Sequence, residues 1–501
     1  MLGASRWAQP AAAPQQTSPS AAMRLTAWTL RRPFQKTSPC PVTHDGNHTY
    51  ARANLVHASS SGGSSSSSNA QTGLSPTAGR NLSGASAGPA SRPAGLILPP
   101  GFRSAPMIAT AAATSTEIVA SAAYSSAPEA SPPAGYRGHG LDGPIIWLGN
   151  QRVHSLSERG RDVMRSMSNW AAKELPRYLK SAERSWQPAD LLPDSASPDF
   201  YDQVSALRAA SANLPNDYLV VLVGDMVTEE ALPSYMNMLN TLDETRDETG
   251  ASDTPWAHWT RHWTAEENRH GDVLNKYLYL SGRVDMHSVE STIQRLIGRG
   301  LDPKLENNPY LCFVYTSFQE RATRISHGNT ARLAQYHGDV PLAKLTGLIA
   351  SDEARHEAAY TAIVAEIFER DPDGAMLAFA DMMRKGIVMP AHFVDDDWHT
   401  QANGKGTNLF VDYAAVADAI GVYTTNDYAN IVDHLVKRWD IGNVKVVTGE
   451  AAEAQAFLIK HSERIRRLAD LQMERRMRDR KRGKGRTAAF SWIFKREVAL
   501  G

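Results

Sequence analysis

From about residue 155 onward, apolar side chains recur at intervals of three and four, and strict alternation is scarce. That period predicts helices over 158–180, 200–211, 216–243, 256–281, 288–299, 308–337, 341–369, 371–386, 408–420, 425–439 and 449–480. Asp-Pro at 302–303 and at 371–372, with Asn307-Asn308-Pro309, marks breaks between them. Pro233 interrupts the stretch 216–243 and either kinks one helix or opens a second.

Residues 1–110 break this pattern. They are rich in Ala, Ser, Pro and Gly, include a serine run from Ser64 to Ser68, and carry nine Arg or Lys against one acid, Asp45. Such a segment cannot bury enough apolar surface to offset its chain entropy. Ser-rich, Arg-bearing and acid-poor is the composition of an organellar transit peptide; a plain disordered tail is the alternative. Residues 1–125 are therefore expected to be a disordered transit peptide and linker, and 140–501 a single all-α domain. Acidic and basic residues balance at 53 each, so net charge names no partner. No segment reaches the roughly 18 apolar residues of a membrane span. Cys40 lies in the leader, which leaves Cys312 as one thiol and no cysteine-ligated iron–sulfur cluster. Electrons for any reductive chemistry must come from another protein or a diffusible donor.

The candidate chemistry lies in a repeat. Glu-x-x-His occurs twice, as Glu267–His270 and Glu353–His356, each following an isolated glutamate, Glu229 and Glu320, by 38 and 33 residues. Residues three apart on a helix share a face, so each Glu–His pair can reach one ion. Two helices giving one Glu, and two giving Glu plus His, form the ligand set of a di-iron four-helix bundle. Four carboxylates balance two Fe(II) ions, which removes the cost of uncompensated buried charge. One Glu-x-x-His is expected by chance roughly once in a chain this long. The recurrence, and the apolar runs VVLVGDMVT before Glu229 and YLCFVYTSFQ before Glu320, favour the metal reading over buried ion pairs. His258 and His262 also stand at chelating spacing. Glu267 lies about 140° around the helix from His262, so with Trp256, Trp259 and Trp263 these histidines read as packing or surface.

WTAEENRHGDVLNKYLYLSGRVDM (263–286), TSFQERATRISHGNTAR (316–332), DEARHEAAYT (352–361), DPDGAMLAFADMMRK (371–385) and SWIF (491–494) closely resemble the soluble plastid acyl-acyl-carrier-protein desaturases. The resemblance covers roughly 150–501. It implies a ferritin-like, homodimeric enzyme of the plastid stroma that inserts a cis double bond, typically Δ9 of stearoyl-acyl-carrier protein. Dioxygen and two electrons from ferredoxin are consumed. It implies that Glu229, Glu267 and His270 hold one iron and Glu320, Glu353 and His356 the other, with Glu267 and Glu353 bridging. Thr323 matches a threonine beside the oxygen site. Trp186, Asp352 and His270 match an electron route from the surface. Met238, Thr241, Leu242, Leu305 and Cys312 match positions along the acyl slot; Cys312 and Leu305 replace smaller residues and would shorten it. The segment Asp395–Thr407 is longer than usual, and Val411 stands where an acid is often found, both near the carrier-protein entrance. A ferritin-superfamily oxygenase or peroxidase with another substrate would share the ligands but not these flanking motifs, and iron storage would not need the roughly 145 residues beyond His356.

Between Arg464 and Arg486 stand eleven Arg or Lys against three acids. This run reads as a solvated helix end or as a docking surface for an acidic protein. Nucleic acid is disfavoured, because no recognised module accompanies the cluster.

Overall fold

The structure, a computed structural model, describes residues 146–148, 151–482 and 485–501. The leader, Cys40 and the expected domain start at 140 lie outside the described residues. A small antiparallel hairpin, β1 (Ile146–Leu148) and β2 (Gln151–Val153), precedes α1 (Glu158–Ser166), α2 (Ser168–Glu174) and α3 (Phe200–Ser211). Then come α4 (Asn216–Glu229), α5 (Leu232–Leu239), α6 (Pro255–Ser281), α7 (Met286–Arg299), α8 (Pro309–His337) and α9 (Val340–Arg370). The remaining helices are α10 (Pro372–Lys385), α11 (His399–Asn403), α12 (Leu409–Ile420), α13 (Thr425–Arg438) and α14 (Gly449–Lys481). A second hairpin, β3 (Thr487–Phe490) and β4 (Arg496–Ala499), follows.

The bundle core is a ring of four helices. α4 packs on α6, α6 on α9, α9 on α8, and α8 on α4. Their ends are set by local chemistry. Thr254 caps α6 by accepting from the Ala257 amide, with Pro255 supplying a preset first turn. Gly282 ends α6 with a left-handed φ of 64°. α8 and α9 are joined by only Gly338 and Asp339: the glycine closes one helix at φ 90°, and the aspartate caps the next by accepting from Leu342. So short a link holds the two helices side by side and antiparallel.

The expected helix 216–243 is two helices. Pro233 cannot donate, and its ring would press on the Glu229 carbonyl, so α4 stops at Glu229 and α5 opens with the proline in its first turn. The freed Glu229 carbonyl accepts from the Tyr235 hydroxyl at 3.2 Å. The break thus falls at a candidate ligand and leaves no carbonyl orphaned there. The expected helix 158–180 is also divided, at Met167, and continues as a 3₁₀ turn around Pro176.

Residues 395–407 form a bent segment around α11, pinned to α7 through Arg295–Asp397 and Arg299–Asp395. His399 within it lies 2.9 Å from Asp412. The two small hairpins were not expected from periodicity. The last one is anchored by buried Trp492, whose indole donates to Thr292 at 3.1 Å. The first half of α14 packs on α10 and α13, but beyond Ala469 none of its described side chains is buried. The basic run is therefore a solvated helix end over that stretch.

α12 lies so close to α4 that a Cβ on Gly224 would sit 2.0 Å from the Tyr413 ring. Gly224→Ala is expected to cost about 1–3 kcal/mol through forced repacking, measured as a lower midpoint in urea unfolding with an unchanged slope.

Candidate metal centre

Glu229 ends α4, Glu267 and His270 sit in mid-α6, Glu320 in α8, and Glu353 and His356 in mid-α9. All six are at most 4% exposed. They converge as two sets, Glu229–Glu267–His270–Glu353 and Glu267–Glu320–Glu353–His356, each with ligand atoms within 4.8 Å of one another. Glu267 and Glu353 belong to both sets. His270 Nδ1 lies 3.2 Å from Glu267, 3.0 Å from Glu353 and 3.9 Å from Glu229. His356 Nδ1 lies 2.6 Å from Glu267 and 3.6 Å from Glu320.

These close approaches lack hydrogen-bond geometry. Glu267 Oε1, Glu353 Oε1 and the Nδ1 atoms of His270 and His356 are buried with no hydrogen-bond partner among the described residues. Buried polar atoms are normally paired, so lone pairs turned toward a common point mark a cation site. The His356 tautomer agrees, whereas His270 Nε2 has no hydrogen-bond partner among the described residues. His356 Nε2 lies 3.0 Å from Glu266 Oε2, a carboxylate that can only accept, so the proton is on Nε2 and Nδ1 faces inward bare. Four carboxylates and two imidazoles suit iron, and the residues present fit a pair of such ions.

The outer partners repeat the pseudo-symmetry. Asp352 faces His270 Nε2 at 3.7 Å and gathers Trp186 Nε1 at 2.9 Å, Lys180 at 2.9 Å, Arg355 at 2.7 Å and Arg269 at 3.1 Å. Burial opposes its ionisation, but the contacts to His270, Lys180 and Arg355 outweigh it and hold the carboxyl well below the usual range. Glu266 does the same for His356, taking the Lys180 amide at 2.7 Å and Arg355 at 2.6 Å. Sequence reading named Asp352 and missed Glu266. The signal was present, because both motifs share an acid, then Glu, any residue, Arg and His, as EENRH and DEARH.

The two terminal glutamates are held differently. His327 Nε2 lies 2.7 Å from Glu229 Oε1, and Trp263 Nε1 donates to Glu320 Oε1 at 3.0 Å. His327, also missed, stands seven residues after Glu320 and so on the same helical face. Thr323, between them, donates to Glu353 Oε2. Burial, with Glu353 nearby, pushes Glu229 up to about 7, although His327 pulls the other way. Burial and the Glu267 and Glu353 charges also raise Glu320.

Two cavities adjoin the site. One of about 500 Å³ is lined by Tyr235, Met238, Leu239, Trp263, Tyr315 and Thr316 among others; one of about 410 Å³ is lined by Asp225, Ser326, His327, Met389, Tyr413 and Tyr423 among others. Thr228, Glu229 and Thr323 belong to both walls. Of the residues expected along a slot, Met238 lines the first cavity. Cys312 lies one turn from its wall residue Thr316, Sγ to Oγ1 3.8 Å. Leu242 and Leu305 are buried outside both linings, and Thr241 is exposed. His258 and His262 are exposed and stack on each other, away from the site.

A four-helix bundle with paired carboxylate–histidine sets is an arrangement that could hold metal ions. A family model described as fatty acid desaturase matches residues 159–494. The chloroplastic stearoyl-[acyl-carrier-protein] 9-desaturase of Olea europaea is 57% identical over 350 residues, covering 70% of this chain and 86% of that one. The enzymes of the same name from Brassica napus (57% over 350 residues) and Simmondsia chinensis (56% over 351) each align over 70% of this chain and 85% of their own length. The chain belongs to the fatty acid desaturase family.

The raised Glu229 carboxyl gives a pH prediction for the metal-free protein. A group protonated more readily folded than unfolded stabilises at low pH, and that contribution is lost as pH rises from about 4.5 through about 7. Glu229→Gln is expected to flatten that decline in pH-dependent urea unfolding of the metal-free protein. In wild type, adding Fe(II) is expected to remove most of it; identical profiles for variant and wild type would refute the assignment.

Proposed function

We propose that this protein is a plastid acyl-acyl-carrier-protein desaturase, inserting a cis double bond at Δ9 of a stearoyl chain. It would use dioxygen, two irons held by the six ligands, and electrons from reduced ferredoxin, acting as a homodimer in the stroma. Residues 1–125 would serve as its transit peptide. The observation that carries this reading is the pair of cavities meeting at Thr228, Glu229 and Thr323. Joined there, they would make one slot passing the ligands, with Met238, Leu239, Trp263 and Tyr315 giving it an apolar lining for an acyl chain. A chain threaded through both would bring one methylene pair to the ligands and leave its ends in opposite arms.

A saturated chain has no acidic proton, so acid–base groups alone give little leverage on it. The iron pair, when bound, supplies the oxygen-dependent removal of hydrogen from such carbons. The chain's own residues do the rest. Asp352 and Glu266 fix the two imidazoles. His327 and Trp263 each occupy one oxygen of a terminal glutamate, and Thr323 holds a bridging one. The apolar wall of Met238, Leu239, Trp263 and Tyr315 excludes water from the distal arm. Electrons would enter at half-buried Trp186, stacked on His270 at 6.0 Å and 12° and bonded to Asp352. Cys312, against the wall residue Thr316, would limit how long a chain fits.

The test incubates iron-loaded protein with stearoyl- and palmitoyl-acyl-carrier protein, reduced ferredoxin and air, and locates double bonds by mass spectrometry. A cis Δ9 product from the stearoyl substrate is expected. Oxygen uptake without desaturation of any acyl length would favour an oxygenase acting on another substrate. His356→Ala is expected to abolish turnover and lower bound iron; full iron and normal turnover would refute the ligand assignment.

A further inference from the structure

α6 carries three buried tryptophans, Trp256, Trp259 and Trp263, of which Trp263 alone touches the metal ligands. Its ring lies 6.3 Å from His356. Tyr360, one turn beyond His356, meets Trp263 edge-on at 5.8 Å and 89°, and meets Trp259 at 5.5 Å and 76°. Trp256 stands one turn before Trp259 on the same face. It stacks on Phe313 at 5.5 Å, and Phe313 meets Tyr360 at 6.2 Å. Trp256 is in the first turn of α6, two residues from exposed Thr254. A continuous line of aromatic rings thus runs from a ligand to the rim of the bundle. Trp256 and Trp259 line neither cavity, and the Trp256 indole nitrogen has no hydrogen-bond partner among the described residues. Contact with substrate therefore does not account for them.

We propose that Trp263, Tyr360, Trp259 and Trp256 form an electron relay that quenches the oxidised metal centre when no acyl chain fills the slot. This rests on the oxygen-dependent function proposed above. The step is a one-electron transfer. The oxidising centre gains one electron, and Trp263 loses one. Trp259 refills Trp263 across the Tyr360 ring, and Trp256 refills Trp259 by way of the Phe313 and Tyr360 rings. An external one-electron reductant, a thiol or an iron–sulfur protein, refills Trp256. An indole can give up an electron and keep its ring proton, so no buried base is required. Burial keeps the Tyr360 phenol protonated, which suits it to a bridging role. The relay lies against Glu320 and His356, whereas Trp186 lies against His270, so the two paths begin on different ligand sets.

The experiment uses iron-loaded full-length protein with reduced ferredoxin and oxygen but no acyl substrate. In wild type, freeze-quenched electron paramagnetic resonance is expected to show an indole radical narrowed by ring-deuterated tryptophan. Peptide mapping is expected to find oxidation at Trp259 and Trp256. Trp259→Phe keeps an aromatic ring in place. It is expected to lose that radical, to shorten the half-life of the working enzyme several-fold, and to shift oxidation to Trp263 and Met238. Trp439→Phe, a buried tryptophan packed on Phe368 and Phe379 away from the site, is the control and leaves half-life unchanged. Should Trp259→Phe fail to fold, Trp256→Phe reads the same map at the outer end. Unchanged half-life and damage map with normal oxygen uptake would overturn the relay alone. Absence of oxygen uptake without acyl substrate would likewise overturn the relay alone, whereas absence of uptake with stearoyl-acyl-carrier protein present would overturn the proposed function and the relay with it.

Discussion

Four carboxylates share one dry interior, and the rest of the molecule is arranged around that burden. Charges so placed are costly unless neutralised. Glu229 and Glu320 show the strain as carboxyls held above their ordinary range by burial and by the neighbouring bridging glutamates, Glu353 for both and Glu267 for Glu320. A pair of divalent cations would remove the repulsion and use the bare nitrogens and oxygens that the protein leaves unmatched. The ring outside is balanced by other means. Asp352 and Glu266 sit among Lys180, Arg269 and Arg355, so those carboxylates stay ionised, and Glu266 can hold the His356 imidazole proton.

The backbone serves the same constraint. α4 must deliver Glu229 and then stop, because a straight continuation would run through the space where α5 and Tyr235 form one side of the slot. Pro233 enforces the stop, and Tyr235 takes the carbonyl it frees. The same residue therefore closes a helix end, walls a cavity and sits beside a ligand. The two-residue turn between α8 and α9 places Glu320 and the Glu353–His356 pair on adjacent inner faces, where a longer loop would leave their register free.

Much of this was legible in the chain. Periodicity located α6, α8 and α9 to within a residue or two, because each has a strong cap, Thr254, Asn308 and Asp339; α4 has no side-chain cap, and its end fell at the proline break instead. The six inward residues were legible because a helix fixes which side chains share a face, and Glu-x-x-His is a local pattern. Glu266 and His327 were as local, at one residue before a ligand and two turns after another, but a lone acid or histidine on a helix carries no signal until its partner across the bundle is known. His356 and Glu266 come from different helices, as do His270 and Asp352. The slot was less legible for the same reason. Its walls draw on α4, α5, α6, α8 and the segment around Pro390, and convergence of that kind depends on packing. Thr241 shows the limit: one position from buried Leu242, it faces solvent.

Near-symmetry at the ligands makes the asymmetry outside them informative. The His270 arm passes through Asp352 to Trp186, an indole partly open to solvent with the Arg269 guanidinium 4.6 Å above its ring. The His356 arm passes through Glu266 and ends on the Lys180 backbone amide and Arg355, groups that carry no electrons. Likewise Glu229 is tied to His327 in the arm of the slot that holds Asp225 and Ser326, while Glu320 is tied to Trp263 in the apolar arm. Two chemically similar halves are thus given unlike surroundings. On the proposed reading, one side takes in the electrons for turnover and the polar end of the substrate, and the other keeps the hydrocarbon tail dry. A duplicated helix pair can supply equal ligands; only the differing neighbours can give the site a direction.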